Sequence, residues 1–381
     1  MTGFDFDTPI DRAGTGSYKW DKYPPGTLNL WVADMDFASP PPVVAALEAR
    51  ARHGVFGYTR VTESLVEAVV GHLAERHGWR VEPDWIVWLP GVTAGFNLCC
   101  RAFAGEGETV MTVSPMYPPI LRAPTAQSRR LLTVPASRDD DGRWRLPLEQ
   151  MEAAVTPDTR LFIFCSPHNP IGRAFDRDEI AAVTDFCRRH DLVLCSDEIH
   201  CDLLLDPVEH LPSVLVDPGA AGRSVTLMSP SKTFNLPGLQ FAFAVVPDAA
   251  LRRALRAPGR GLVEFEIPGT FGAAAAEAAY REGGPWLAAL LDYLRGNRDL
   301  VERSVAGELP GASMAHVEAT YLAWLDVRGC GAPDPMAACL AEGVALSDGV
   351  DFGAPGFLRL NFACPRPVLG EALERMRKAL T

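Results

Sequence analysis

Short apolar segments alternate with segments of helical pattern from Pro83 to about residue 246. Most of the apolar segments are four to six residues long and end at Gly, Pro or polar residues, which is typical of buried strands. Repetition of strand and helix predicts an α/β fold with a mostly parallel sheet covered on both faces. Ligand groups of such a sheet lie beyond the carboxyl ends of its strands. We predict seven strands, at 85–89, 109–113, 131–134, 161–165, 192–200, 224–228 and 242–246.

The chain changes character on both sides of this repeat. After residue 285, a long helix at 286–305 and strands at 321–326 and 356–362 predict a small α+β domain. Before the repeat, residues 28–37 are predicted to form an extended segment that covers another part of the protein. A helix at 43–53, capped at Ser39 or the next residue, and a helix at 63–76, capped at Thr62, follow it. We predict an N-terminal arm at 1–49 that joins the small domain, a large domain at 50–285 and a C-terminal domain at 286–381.

The composition excludes several functional classes. With 381 residues, 48% of them hydrophobic, the chain can bury a large core, and its net charge of −12 argues against a nucleic-acid surface. Residues 1–11 carry three aspartates and lack the apolar run of a signal peptide, and no stretch reaches the ~18 apolar residues of a membrane helix. We therefore expect a cytoplasmic protein.

The nine cysteines are predicted to be reduced core residues, because the count is odd and most lie in apolar segments. Cys195 and Cys201, with His200 between them, lack the spacing of a zinc site. No metal site is predicted.

The segment from Ser229 to Gln240 follows an apolar strand and places Lys232 close to the end of that strand. Pro230, Pro237 and Gly238 predict an irregular segment around Lys232. A lysine at a strand end can be desolvated, its pKa lowered, and its amine made available for a Schiff base. An exposed loop lysine is the alternative, and this segment alone does not decide between them.

Other chemically capable groups follow the predicted strands. Asp197 ends an apolar strand, where a buried carboxylate needs a cationic partner. Asn169 lies in a turn between two prolines, and Tyr117 follows the second strand. The turn at Gly91 precedes a helix starting near Phe96, whose first N–H groups could bind a phosphate. Each has a plainer alternative: an ordinary turn at Gly91, or core packing for Tyr117.

Taken together, several motifs resemble the fold-type I pyridoxal-phosphate enzymes of the aminotransferase superfamily. They are the SxxK of Ser229 to Lys232, the DxxH of Asp197 to His200, the HNPxGR of 168–173, Tyr117 and Arg359. Segments 31–37, 196–202 and 229–240 are similar to the MalY/PatB branch, the cystathionine β-lyase-like C–S lyases. The resemblance implies an aspartate-aminotransferase-like fold, with a seven-stranded, mostly parallel sheet in the large domain.

The resemblance also implies the roles of the residues around the cofactor, pyridoxal 5'-phosphate (PLP). Lys232 would bind it covalently and then move protons at the substrate's Cα. Asp197 would pair with the pyridine nitrogen, Asn169 would bond the ring hydroxyl, and Tyr117 would stack on the ring. His200 stands where aminotransferases commonly have Tyr; it would also reach the ring hydroxyl, with a charge that varies near neutral pH.

The remaining implied contacts concern the phosphate and the substrate. Gly91, Val92, Thr93, Ser229 and Ser231 would hold the phosphate, together with Tyr58 from the neighbouring subunit of a homodimer. A buried turn tyrosine is the alternative for Tyr58. Gln240 stands where many relatives have a phosphate-binding arginine, and Ser166 where Asn is expected. Arg359 would bind the substrate α-carboxylate. The side-chain pocket would be lined by Tyr58 together with arm residues: Trp31, Ala33, Asp34 and Phe37.

We therefore expect a homodimeric C–S β-lyase that cleaves cystathionine or another cysteine S-conjugate to a thiol, pyruvate and ammonia. Proton removal from Cα is shared with transamination, so these residues do not exclude an aminotransferase, or a decarboxylating or oxidatively deaminating variant that acts on a specialised metabolite. A regulator of this superfamily would need an added DNA-binding domain, for which the short acidic N-terminus has no room. A non-catalytic interaction protein is the remaining alternative.

Overall fold

The computed structural model describes residues 3–381, so the first two residues of the predicted arm at 1–49 lie outside the described part. The strands are β1 Leu28–Asn29, β2 Ile86–Leu89, β3 Thr109–Ser114, β4 Arg130–Pro135, β5 Ser137–Arg138, β6 Trp144–Arg145, β7 Thr159–Cys165, β8 Val193–Asp197, β9 Ser224–Met228, β10 Ala242–Val245, β11 Ser313–Met314, β12 Leu322–Asp326, β13 Val344–Ala345, β14 Ser347–Asp348 and β15 Phe357–Asn361.

The helices surround these strands. They are α1 Pro41–His53, α2 Glu63–His77, α3 Val92–Phe103, α4 Pro118–Ala126, α5 Leu148–Ala154, α6 Arg177–Arg189, α7 Ser213–Val216, α8 Pro230–Thr233, α9 Ala249–Arg256, α10 Thr270–Glu282, α11 Gly284–Gly307, α12 Pro335–Ala341 and α13 Arg366–Leu380.

The central sheet has seven strands in the order β2-β10-β9-β8-β7-β3-β4. β10 runs antiparallel to both of its neighbours, whereas the other pairs are parallel. This confirms the predicted α/β class and the mostly parallel sheet. Because β2, β3, β7, β8 and β9 all point the same way, the segments that follow them meet at one edge of the sheet.

The N-terminal arm belongs to the hydrophobic core of the C-terminal part of the chain. β1 pairs in parallel with β13, and the antiparallel sheet β11-β12-β15-β14 lies in that same part. Leu30, Met35 and Phe37 pack in one cluster with Leu322 and Leu360. This packing agrees with the arm's predicted association, while the domain limits at residues 49 and 285 stay a prediction.

Two helix starts differ from expectation. Helix α1 begins at Pro41, two residues earlier than predicted, and its cap residue is Pro40, the second of the two predicted positions. The Ser39 hydroxyl instead donates to the carbonyl of Asn235 at 3.1 Å. The helix α3 begins at Val92, four residues earlier than predicted. By contrast, Thr62 caps α2 as predicted, accepting from the N–H of Leu65 at 3.2 Å.

Lys232 lies in a single helical turn, α8, and the prediction of an irregular segment was wrong. The Ser229 hydroxyl accepts from the N–H of Ser231 at 3.0 Å and starts the turn, and Pro230 is tolerated because it occupies the first helical position. Pro237 then opens a separate short turn. The consequence is a fixed, helical backbone under Lys232.

The cysteines of the described chain are all free, and eight of the nine are buried. This confirms their prediction as reduced core residues. Among residues 3–381, no helix combines the length and the apolar character that a membrane crossing requires.

Candidate active site

A cavity of about 750 Å³ opens at the carboxyl edge of the central sheet. It brings together residues at or after the ends of β2, β3, β7, β8 and β9, where the parallel topology places strand-end groups, with residues from β15 and the arm. The predicted site residues on its wall are Trp31, Ala33, Gly91, Val92, Thr93, Tyr117, Asn169, Asp197, His200, Ser229, Ser231, Lys232 and Arg359.

The amine of Lys232 points towards the N-terminal arm. Its Nζ donates to the carbonyl oxygen of Ala33 at 2.7 Å, and the Tyr321 hydroxyl donates to the same oxygen at 2.9 Å. Desolvation lowers the pKa of Lys232 to about 8, although the nearby carboxylate of Asp34 opposes this shift. A substantial fraction of the amine is therefore unprotonated slightly above neutral pH, as a nucleophile or base requires.

Asp197 ends β8 as a buried carboxylate. One oxygen accepts from the N–H of Ile199 at 3.2 Å, and no ion pair within residues 3–381 involves this side chain. Burial raises the pKa of Asp197 to about 7. The adjacent Glu198 differs, because its carboxylate is bound by His210 at 2.8 Å and by the N–H of Ser213 at 3.0 Å. Asp197 is thus a buried acid whose ionised form calls for an added cation.

Arg359 lies in the middle of β15 and faces the cavity. Its Nη1 donates to Asn169 Oδ1 at 3.0 Å, and its Nη2 donates to the carbonyl of Trp31 at 2.7 Å. The guanidinium also lies 4.8 Å from the ring centre of Phe352. No carboxylate of the described residues pairs with it, and burial lowers the pKa of Arg359 to about 10. It is therefore a buried cation able to bind an anion bidentately.

His200 is neutral in this environment. Burial lowers its pKa to about 3, and the positive charges of Lys232 and Arg359 act in the same direction. The expectation that its charge varies near neutral pH was wrong, because neither the burial of His200 nor the two cations that face it can be read from the sequence. A neutral ring can still donate or accept one hydrogen bond at each nitrogen.

The start of α3 supplies free N–H groups on the cavity wall. The helix follows Gly91 without a side-chain cap, so the N–H groups of Val92 and Thr93 face the cavity end of the helix. Ser229 lies opposite but is already engaged, since its hydroxyl donates to the carbonyl of Phe241 at 2.6 Å. The Ser229 hydroxyl therefore mainly stabilises the local backbone.

Three predicted pocket residues lie elsewhere in this chain. Asp34 is behind the wall, where Arg12 binds its carboxylate at 2.6 Å. Phe37 packs against Phe6 in the core, with ring centres 5.1 Å apart, and the prediction that it lines the pocket was wrong. Tyr58 is 96% exposed, which excludes a buried turn tyrosine.

The arm, α4 and the segment 347–352 also contribute residues that the sequence did not indicate. Ser347, Phe352, Arg122, Tyr18 and Lys22 lie on the cavity wall. Lys22 lies between Trp20 and Tyr23 in a stretch without regular spacing, so no sequence signal identified it. The hydroxyl of Tyr321 could have been recognised, because this residue is the first of a predicted strand.

Comparison with known proteins identifies the family. Residues 25–376 match the family "Aminotransferase class I and II". The chain is 36% identical to cystathionine beta-lyase PatB of Bacillus subtilis, covering 99% of this chain and 100% of the relative. It is 32% identical to protein MalY of Escherichia coli, covering 99% of both.

Solved structures agree with the sequence relatives. The crystal structure of OvoB superposes with a TM-score of 0.95 at 43% identity, covering 99% of both chains. Cystalysin from Treponema denticola, whose crystal structure contains a pyridoxal 5'-phosphate cofactor, superposes with a TM-score of 0.92 at 30% identity, covering 99% of this chain and 98% of that one. The chain belongs to the class I and II aminotransferase family and, within it, to the MalY/PatB branch.

Proposed function

We propose that this protein is a PLP-dependent C–S β-lyase that cleaves a cysteine S-conjugate to a thiol, pyruvate and ammonia. The proposal depends on one cavity that brings three groups together: the desolvated amine of Lys232, the buried carboxyl of Asp197 and the guanidinium of Arg359. The carboxyl needs a cationic partner when it is ionised, and the guanidinium can bind an anion. Relatives along the whole chain are named cystathionine beta-lyase, which supports this outcome over transamination.

The residues on the cavity wall fit PLP. The buried acid Asp197 suits a protonated pyridine nitrogen, and the amide of Asn169 suits the ring hydroxyl. The partly buried ring of Tyr117 offers a stacking surface, and the N–H groups at the start of α3 suit the phosphate. Bound PLP supplies an electron sink for the carbanion at the substrate's Cα.

The protein's own groups orient the substrate and move its proton. We assign the substrate α-carboxylate to Arg359, whose Nη atoms are fixed by Asn169 and by the carbonyl of Trp31. This grip sets the direction of the Cα–H bond, and Lys232, with its lowered pKa, takes the proton from Cα. Neutral His200 adds no positive charge beside this amine.

The thiol side of the substrate is assigned to the wall formed by Tyr18, Lys22 and Trp31. The carbonyl of Trp31 accepts a hydrogen bond from Arg359. The side chain of Trp31 therefore starts close to the place assigned to the substrate α-carboxylate. The ammonium of Lys22 lies 4.1 Å from the Trp31 ring centre, and the Tyr18 ring packs at a tilt against the same indole, with ring centres 5.1 Å apart. This wall suits a conjugate whose leaving thiol carries a carboxylate, as that of cystathionine does.

A homodimer and a cytoplasmic location complete the proposal. Tyr58 is exposed on its own chain and free to reach the phosphate of a neighbouring subunit. The free thiols of the described chain, mostly buried, suit a reducing compartment.

Two parallel incubations of the PLP-loaded enzyme test the reaction. In one it receives cystathionine, and in the other an amino acid with 2-oxoglutarate. Pyruvate together with a free thiol is the expected result, whereas glutamate without thiol release would refute the lyase and identify the aminotransferase. The Lys232→Ala variant should release no thiol and should not become covalently labelled with the cofactor on borohydride reduction.

A further inference from the structure

A second cavity, of about 890 Å³, lies apart from the one that contains Lys232, and the two share no wall residue. It opens between α2 and the segment that follows β8. Three potential metal ligands meet at this place: His72 and His77 from the last turns of α2, and Asp202 from the turn after β8. The proposed lyase reaction uses none of them.

The spacing of the three ligand atoms suits one small cation. His72 Nε2 lies 3.1 Å from each oxygen of Asp202, and His77 Nε2 lies 3.1 Å from Oδ1. All three ligand atoms lie within 4.8 Å of one another. Around a tetrahedral Zn²⁺ with bonds of about 2.0–2.1 Å, neighbouring ligand atoms are roughly 3.3 Å apart. Only small movements would bring these atoms to such spacing.

An unpartnered nitrogen provides an independent indication. The His77 side chain is only 2% exposed, and among residues 3–381 its Nε2 has no hydrogen-bond partner, because its direction misses the nearby carboxylate. A buried polar atom of this kind usually has a protein, water or ion partner. The atom is part of the His72, His77 and Asp202 group, where a metal ion would satisfy it.

Other charged groups face the same place. Arg76 Nε lies 3.6 Å from Asp202 Oδ1, but this side chain is 43% exposed and can turn towards solvent. The His210 ring lies 5.3 Å from that of His77 and is bound to Glu198 at 2.8 Å. A cation at Asp202 would therefore displace Arg76, while Glu198 retains His210.

We propose that His72, His77 and Asp202 form a binding site for a divalent transition-metal ion of the Zn²⁺ class. Two imidazole nitrogens and one carboxylate are ligands that zinc accepts, and three protein ligands leave a fourth position for water from the cavity. Sequence spacing could not reveal this site, because Asp202 is 130 residues from His72.

The site also touches the helix that carries Lys232. Asp202 Oδ2 accepts from the hydroxyl of Thr233 at 3.2 Å, and Thr233 directly follows Lys232 in α8. Substituting Asp202 would disturb this contact as well as the metal site. The test therefore changes the two histidines and leaves Asp202 intact.

The experiment is calorimetric titration of the PLP-loaded full chain with Zn²⁺, in a reductant that binds no metal. One Zn²⁺ per chain is expected, and its retention after desalting is measured by elemental analysis. The variants His72→Gln and His77→Gln should each weaken binding at least about 10-fold. His53→Gln, which changes an exposed histidine, should bind as the parent does.

Two further controls distinguish zinc at the histidines from zinc at a thiol or in a misfolded variant. Cys330→Ser removes the half-buried thiol, and loss of zinc in this variant with retention in the histidine variants would assign the ion to a thiol and refute the proposal. Circular dichroism and PLP content establish that each variant is folded. Absence of saturable one-to-one binding in the parent protein would also refute it, whether or not the lyase reaction is found.

Discussion

The amine of Lys232 and the carbonyl oxygen of Ala33 are 2.7 Å apart, although 199 residues separate them in the chain. The N-terminal arm therefore reaches the reactive amine through its backbone. Within the arm, Lys19 binds Asp36 at 2.8 Å, and Arg12 binds both Asp34 and Asp36 at 2.6 Å. These ion pairs, the Lys19 pair fully buried, fix the path of the chain through residues 12–36.

Removing the buried cation Lys19 should destabilise the protein. The Lys19 side chain is 1% exposed, so Lys19→Met leaves the buried carboxylate of Asp36 with fewer partners, and the free energy of unfolding should fall by about 3 kcal/mol. Lys378→Met is the matched control, because Lys378 forms an exposed pair with Glu374 and should change stability by less than about 1 kcal/mol. Denaturant unfolding measures both, and equal effects would contradict the role of Lys19 as an anchor of the arm.

Asp197 should make the stability of the PLP-free protein depend on pH. Burial raises its pKa from 3.8 to about 7, so the protonated carboxyl favours the fold at low pH and this stabilisation is lost as pH rises through about 7. PLP-free Asp197→Asn should therefore be more stable than the parent at pH 8, by up to about 4 kcal/mol, and similar at pH 4. Thermal unfolding measures this, and a less stable variant at pH 8 would contradict the assigned shift. With PLP bound, the variant should be less stable than the parent protein, because it lacks the carboxylate that pairs with the pyridine nitrogen.

Arg359→Gln should lower kcat/KM by about 100-fold or more, because it removes the cation that grips the α-carboxylate. Arg359→Lys should restore little, since one ammonium cannot reproduce the two-pronged contact. Binding of an amine analogue without the α-carboxylate, followed by the cofactor's absorbance, is the internal control. This analogue should bind the parent and the Gln variant equally, and a large difference between them would mean that Arg359 acts on something other than the carboxylate.

Lys22→Met should raise KM for cystathionine about 10-fold, which corresponds to about 1.4 kcal/mol. An S-alkyl cysteine without a distal charge should be cleaved as before, because its thiol side has no carboxylate to lose. Arg122→Met tests the other exposed cation on the wall. If the Arg122 variant, and not the Lys22 variant, discriminates between the two substrates, the assignment of the distal carboxylate to Lys22 is wrong.

Mixed dimers should reveal whether Tyr58 acts across the subunit interface. Tyr58→Ala and Lys232→Ala homodimers should each be impaired, but a hybrid of the two chains contains one site with both native residues. Activity should therefore recover when the variants are co-refolded. Asp197→Asn mixed with Lys232→Ala should show no recovery, because both residues belong to the same chain's site. Absence of recovery in the first mixture would contradict the shared site.

The sequence predicted the main features of the fold because they depend on local patterns. Apolar segments bounded by turns located the seven strands, and their direction placed Asp197, Asn169 and Lys232 at one edge. The helix ends were less accurate, since α3 begins at Val92 and Lys232 lies in the turn α8, where the sequence predicted a turn and an irregular segment. Prolines alone suggested an irregular Lys232 segment, whereas Ser229 and Pro230 together begin a helical turn.

The site was predicted residue by residue through its resemblance to a family, but its electrostatics required the structure. His200 is neutral because it is buried, and two cations that come from α8 and β15 lower its pKa further. Asp34 lies behind the cavity wall because Arg12, 22 residues away, binds it. Such long-range pairings leave no periodic pattern in the sequence. The sequence of the arm alone therefore could not show that Ala33 lies on the cavity wall and Asp34 does not.

The arm touches the two reactive side chains through peptide carbonyls: that of Ala33 receives the Lys232 amine, and that of Trp31 receives the Arg359 guanidinium. A carbonyl is present whatever side chain its residue carries. Substitutions along this wall can therefore reshape the part of the cavity that meets the leaving thiol while both contacts persist. Substrate range can diversify here by point mutation, with the proton-moving centre left intact.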